Sequence, residues 1–296
     1  MVDFKSLCYN LNAYEHHHIA SPPYQKRRAA VAAILRCHTA NPSSISYYKA
    51  TNLDEFFEQE WVKHGKAEIL FMQRASRAGD RWSGHVSFVG GKNEPGETDE
   101  DTVKREVLEE IGIDLNEGYI EVGRLDEREI TSIKDNKLLM VLAPFVYLQV
   151  VPESPPFHLQ TSEVAAVEWV PLTFFTSDQP HENHAITEYL TLVRFKSRFM
   201  NRFIRFLLGS VTFPAIHLPA AAATQTTFKL WGLTLGMTSD IIEFAPKNHL
   251  ALLKLARSKP VYSRKDIDIL ATLITQLRYL LRYGKIESDP DSCSIR

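Results

Sequence analysis

The chain has only three cysteines in 296 residues, Cys8, Cys37 and Cys293, and no C-x-x-C pair among them. They are too few and too scattered for a disulfide scaffold or a zinc ribbon, and they fit a reducing compartment. An excess of charge is also missing: 34 Lys and Arg stand against 36 Asp and Glu, a formal −2. That balance provides no global attraction to nucleic acid or to an anionic membrane, so nucleic acid is not an expected partner without a local patch. Long apolar runs are absent. The greasiest stretch, Leu138–Val151, is 14 residues long and holds Pro144 and Gln149, which is short of a membrane span. The first residues lack the apolar core of a signal peptide. The last four, Cys293-Ser294-Ile295-Arg296, are neither a prenylation box nor a Ser-Lys-Leu peroxisomal address. A soluble intracellular protein, cytoplasmic by default, is expected. No repeat of 20–50 residues occurs.

What is present is an ordinary globular composition, 44% hydrophobic and 24% charged, enough for a sizeable core. Residues 1–26 read as a loose polar arm. Residues 27–245 read as the main domain, with strands at Arg28–Cys37, Glu68–Arg74, Val86–Val89, Tyr119–Asp126, Leu138–Val150 and Val164–Val170. A short helix is expected around Asp54–Trp61. Another is expected over Asp99–Ile111, stopped by Gly112. Ala185–Leu208 reads as a helical stretch, giving an insert at about 184–210. Its Arg194, Lys196, Arg198, Arg202 and Arg205 share the stretch with Phe195, Phe199, Phe203 and Phe206, whose helical spacing favours packing on the core. A further strand is expected at Phe228–Leu233 and a helical turn or more at Thr238–Phe244. Residues 246–296 read as a helical extension, with Leu270, Leu273, Ile274, Leu277 and Leu281 at helical spacing after a Ser263–Asp266 capping box.

The informative stretch is Gly91–Ile113, GKNEPGETDEDTVKREVLEEIGI. At about 100° per residue, Val103, Val107, Leu108 and Ile111 fall within roughly 140° of arc. Glu106, Glu109 and Glu110 occupy a separate arc of about 100°. One face can therefore pack on a sheet while three carboxylates converge outward. Their mutual repulsion is offset in part by Arg105, beside Glu109 on the wheel, and far better by a hard divalent cation. A solvated acidic face is the commoner meaning of such a cluster.

The spacing departs from that common case. Gly91, Glu97, Arg105-Glu106, Glu109-Glu110 and Gly112, with Val107, Leu108, Ile111 and Ile113 between and after them, resemble the Nudix box at every specified position. For seven fixed residues a chance match is on the order of one in a billion per start point. The resemblance implies an α/β/α sandwich around a mixed sheet and hydrolysis of a diphosphate linked to another moiety, with Mg²⁺ or Mn²⁺. It implies Glu106, Glu109 and Glu110 as metal ligands, with Glu106 alternatively the base that activates water. It also implies Arg105 as the residue orienting Glu97, and Gly91 as a backbone contact to metal. The catalytic set implied is Glu106, Glu109, Arg105 and Glu97.

Outside the box, Leu70–Ala75 (LFMQRA), Gly84–Gly91 (GHVSFVGG) and Phe228–Thr234 (FKLWGLT) resemble the coenzyme A pyrophosphatase branch, with Val89 where that branch has proline. This implies coenzyme A or acyl-CoA cleaved to 3′,5′-ADP and a 4′-phosphopantetheine species. A 3′-phosphate needs extra cationic donors, and Arg74, Arg77, Arg81 and Lys92 flank the box, with Trp82 placed to stack on adenine. The resemblance also implies a further carboxylate outside the box at the metal site, for which Glu163, Glu168 and Glu182 are alternatives. His16-His17-His18 reads as part of the arm rather than a metal site. The other readings are a hydrolase of a different nucleotide (dinucleotide, nucleotide sugar or capped RNA) and a non-catalytic binding module. The intact acidic set speaks against the last. Oligomeric state is left open.

Overall fold

Strand β1 (Arg28–His38) alternates its apolar side chains, as a strand buried on both faces must. Ala30, Ala32 and Ile34 face one core and Ala29, Ala33 and Leu35 the other. The computed structural model describes residues 3–40, 45–76, 83–131, 137–176, 185–190, 211–219, 228–246, 255–257 and 261–262. β1 pairs in parallel with β7 (Leu138–Gln149) and antiparallel with β2 (Lys66–Arg74) and β4 (Val89–Lys92). β3 (Val86–Ser87) and β8 (Val164–Pro171) pair with β2, and β5 (Tyr119–Arg124) and β6 (Arg128–Thr131) with β7. The result is an eight-stranded mixed sheet. One face is covered by α4 (Asp99–Ile111) through Val103, Val107 and Ile111. The other is covered by α1 (Phe4–Asn12), α2 (Leu53–Glu58), α3 (Glu60–His64), α5 (Leu172–Thr176) and α6 (Gly232–Glu243). This is the expected α/β/α sandwich.

The chain divides into two compact units, one of residues 1–186 with 215–257, the other of 187–214 with 258–296. In the first, Ala215–His217 of β10 (Val211–His217) pair with β11 (Lys229–Trp231). In the second, Val211 and Thr212 pair with Tyr262 and Val261 of β12 (Val261–Tyr262).

Several expectations need correction. The N-terminal arm is not loose: Phe4, Leu7, Cys8 and Leu11 of α1 are buried in the core. The polar residues that suggest an arm lie on its outer side, and Asp3 caps it through the Ser6 amide at 3.0 Å. Cys8 and Cys37 are free and buried, and burial pushes the Cys37 thiol up to about 12. The single helix around Asp54–Trp61 is two, α2 and α3, broken by an extended Gln59. Ala185–Leu190, expected as the start of a helical insert, is strand β9. Its Ile186, Thr187 and Tyr189 are β-branched or aromatic, which suits a strand. The basic stretch Arg194–Arg205, Glu182 and the segment Leu270–Leu281, expected as a helix, lie outside the described residues. Among the described residues no helix is long and apolar enough to cross a membrane.

Candidate active site

Helix α4 is well specified at both ends. Thr98 and Asp101 form a reciprocal capping box, and Asp99, Glu100 and Asp101 place negative charge on the first turn. Gly112 closes the helix in the left-handed region at φ 76°, its amide donating to the Leu108 carbonyl at 3.0 Å. Beside α4 runs β4 with Gly90 and Gly91, and each glycine has its own reason. Gly90 has φ 145°, and a Cβ there would lie 2.2 Å from the Ala30 carbonyl oxygen. At Gly91 a Cβ would lie 2.4 Å from the carboxyl of Glu106.

Arg105 is the hub of the carboxylates. Its Nε donates to Glu97 Oε1 at 2.6 Å, and its Nη2 donates to Glu97 Oε2 at 3.0 Å and to the Lys92 carbonyl at 3.1 Å. Nη1 donates to Glu106 Oε1 at 3.0 Å and to Glu109 Oε2 at 3.1 Å. The Arg105 hydrogen bonds, followed by one from the Glu94 amide, hold the Glu97 carboxyl at about 2. Glu106 is pushed above the ordinary carboxylate range by burial, which Arg105 opposes. Glu110 is 2% exposed and accepts from the Gly90 amide at 3.0 Å. Burial raises it to about 7, the Gly90 bond working against this and the charge of Glu106 adding to it.

The helical wheel therefore needs two revisions. Glu110 does not face outward with Glu109, and Leu108, placed on the packed arc, is 51% exposed. Glu110 lies only about 20° from Val103 on the wheel, so it turns with the packed face, while Leu108 lies at that arc's far edge. Glu109 remains outward, its side chain 55% exposed.

Arg74 ends β2, and its charge acts on Glu110; Lys92 is exposed at the end of β4. Arg77, Arg81 and Trp82 lie outside the described residues. Glu163 was legible only as one of three candidates. Its charge raises both Glu106 and Glu110, and its carbonyl accepts from the Ala75 amide at 2.7 Å, beside Arg74. His85 packs edge-on against Trp231 with ring centroids 4.9 Å apart.

Among the described residues, no three His, Cys, Asp or Glu side chains are already drawn into a metal cage. Glu106 and Glu109 turn to Arg105, and Glu110 to the Gly90 amide. The donor chemistry nevertheless fits a hard divalent cation. Two carboxylates with raised pKa values stand in one part-buried place, their oxygens are the right ligand type, and Gly91 leaves the room that a Cβ would fill. Gly91→Ala should displace the Glu106 carboxylate, a flexible chain end, and leave the fold intact. The expected result is kcat lower by about ten- to a hundredfold with Tm nearly unchanged, measured on the same preparation.

A mixed sheet sandwiched by helices, with α4 on one face and its carboxylates beside the glycines of β4, defines a class. The family model described as NUDIX domain matches residues 61–190. An uncharacterised protein of Schizosaccharomyces pombe is 32% identical over 228 residues, covering 74% of this chain and 68% of that protein. The chain belongs to the Nudix family and is by class a pyrophosphohydrolase. Also similar is the peroxisomal coenzyme A diphosphatase ndx-8 of Caenorhabditis elegans, 32% identical over 126 residues, 42% of this chain and 50% of that protein. Among solved structures, a MutT/nudix family protein from Enterococcus faecalis aligns with a TM-score of 0.36 at 15% identity, over 78% of this chain and 63% of that one.

Proposed function

We propose that the chain hydrolyses the diphosphate of coenzyme A or an acyl-CoA, giving 3′,5′-ADP and an (acyl-)4′-phosphopantetheine. One observation carries the hydrolytic part. Arg105 gathers Glu97, Glu106 and Glu109 while Glu110 accepts from the Gly90 amide, so that four carboxylates are held in order where α4 meets β4. Support for coenzyme A comes from the name of the C. elegans relative and from the cationic side chains Arg74 and Lys92 beside the box.

Glu106, Glu109 and Glu110 would hold Mg²⁺ or Mn²⁺, with Glu163 as a fourth carboxylate. Bound there, the metal would neutralise phosphate oxygens and lower the pKa of the attacking water. Arg105 keeps Glu97 ionised and fixes the β4–α4 loop through Lys92, so the carboxylates do not scatter when solvent leaves. Glu106, which burial makes less acidic than an ordinary carboxylate, is alternatively the base that activates the water rather than a metal ligand. Arg74, Arg81 and Lys92 would pair with phosphate oxygens and Trp82 would stack on the base.

The test is a panel of CoA, dephospho-CoA, NADH, ADP-ribose and dinucleotide polyphosphates with Mg²⁺ or Mn²⁺. The expected result is a kcat/KM for CoA above dephospho-CoA by about tenfold or more, the size of one charge-assisted contact. Equal values would remove the 3′-phosphate argument, and a higher value for another nucleotide would replace coenzyme A while leaving the hydrolase reading in place.

A further inference from the structure

We propose that Arg28, at the start of β1, is a positioning residue for this site, clamping the first turn of α4 to the sheet and tying both to the N-terminal segment. The inference rests on the hydrolase reading above. The guanidinium is 15% exposed. Nε donates to Asp99 Oδ1 at 3.0 Å and Oδ2 at 2.9 Å, and Nη2 donates to Asp99 Oδ2 at 2.7 Å. Nη2 also pairs with Glu127, and Nη1 donates to the Ile19 carbonyl at 2.9 Å. The same residue's carbonyl accepts from the Asn93 amide at 3.1 Å, and the Asn93 side chain donates to Asp99 at 2.7 Å. Both ends of the loop Asn93–Asp99 are therefore held by one residue. The next two residues of β1, Ala29 and Ala30, pair with Lys92 and Gly91.

On the outer side, Glu127 accepts from the Ile19 amide at 2.7 Å and lies 3.0 Å from His18 Nδ1, and its own amide donates to the His17 carbonyl at 3.0 Å. The three histidines that resembled a loose tract thus belong to a segment docked on the β5–β6 turn. From there the bonds run through Arg28 to Asp99.

Holding α4 together does not require this. The helix has its own capping box and buries Val103, Val107 and Ile111. What Arg28 adds is position along the sheet. Glu106 lies about 10 Å up the helix from Asp99, at 1.5 Å per residue, and a helix moves as a rod over that length. A slide of the first turn by about 1 Å would carry the Glu106 carboxyl out of its place over Gly91, a misfit able to lower a rate by about a hundredfold. Lysine keeps the charge but has no planar fork to span Asp99, Glu127 and Ile19 together.

The experiment uses the full chain with Arg28→Lys, Asp99→Asn, their double variant, and Glu127→Gln. It measures kcat, KM, Tm, and Mn²⁺ binding by the EPR signal of the free ion. Expected are a kcat about tenfold or more lower in Arg28→Lys and Asp99→Asn at saturating Mn²⁺, KM within about twofold, and weaker Mn²⁺ binding. The double variant should be no worse than the worse single one, since both cut one clamp. Glu127→Gln should fall in the same direction by less. Variants that melt lower but match wild type in kcat and Mn²⁺ binding would reduce Arg28 to a structural role, and a silent Glu127→Gln would cut the N-terminal segment out. If either single variant does not fold, the other decides. Wild type that binds no Mn²⁺ and leaves every diphosphate intact would overturn the hydrolase reading and the clamp with it. An active wild type with unaffected variants would overturn the clamp alone.

Discussion

Glu110→Gln is expected to lower kcat by about a thousandfold, close to 4 kcal/mol of barrier, while raising the stability of the metal-free protein. Both effects have one cause. The carboxyl is buried under Gly90 with the charge of Glu106 nearby, which places it at about 7 rather than its ordinary 4.5. A group whose folded-state pKa is raised in this way costs stability as it ionises. The cost is absent below about pH 4.5, grows as pH climbs, and is complete above about pH 7. Glutamine keeps the acceptor for the Gly90 amide and removes the charge. Metal-free Glu110→Gln should therefore melt with wild type at pH 4 and above it at pH 8, by about 3 kcal/mol. Turnover matching wild type would remove Glu110 from the chemistry. A variant less stable than wild type at pH 8 would remove the electrostatic account.

The largest expected loss of stability is at Gly90. With φ at 145° the backbone stands where L-residues rarely go, and an added Cβ would meet the Ala30 carbonyl oxygen at 2.2 Å and Val31 Cα at 2.7 Å. Those atoms belong to β1, which pairs on its other side with β7 over eight register positions, from Arg28↔Val141 to Leu35↔Leu148, and cannot step aside cheaply. Gly90→Ala should cost at least about 3 kcal/mol, or roughly 6–12 °C in Tm for a domain of this size. A Tm within about 2 °C of wild type would show that the strand absorbs the change. The contrast with Gly91→Ala is informative. One alanine presses on backbone and reads out in melting; its neighbour presses on a carboxylate and reads out in turnover.

The box itself was legible because its chemistry is local. Arg105 reaches Glu109 one turn away and Glu97 eight residues back, and both contacts follow from spacing within one loop and helix. The strands were legible for a similar reason, since runs such as EILFMQR and LLMVLAPFVYLQ announce burial on two faces. The N-terminal helix was missed although Phe4, Leu7, Cys8 and Leu11 stand at helical spacing, because the polar residues that follow it as far as Ser21 outweigh that one short apolar stripe. The short strand β6 and the division of Asp54–Trp61 into two helices were missed likewise, since tertiary pairing and one extended residue decide them.

What the amino-acid order determined was the inventory: a helix with caps at both ends, three glutamates and an arginine at set intervals, and two glycines before them. Those features depend on neighbours in the chain, so their physics is written in spacing. The wheel sets Glu110 nearest the apolar arc, and the tertiary structure decided how dry that place is. Strand β4 lies against one side of α4, so Glu110 loses water and Glu109 keeps it. It also decided that Arg28, 71 residues from Asp99, closes on the same helix. Desolvation and long-range pairing depend on what the fold brings alongside, and no interval along the chain encodes that.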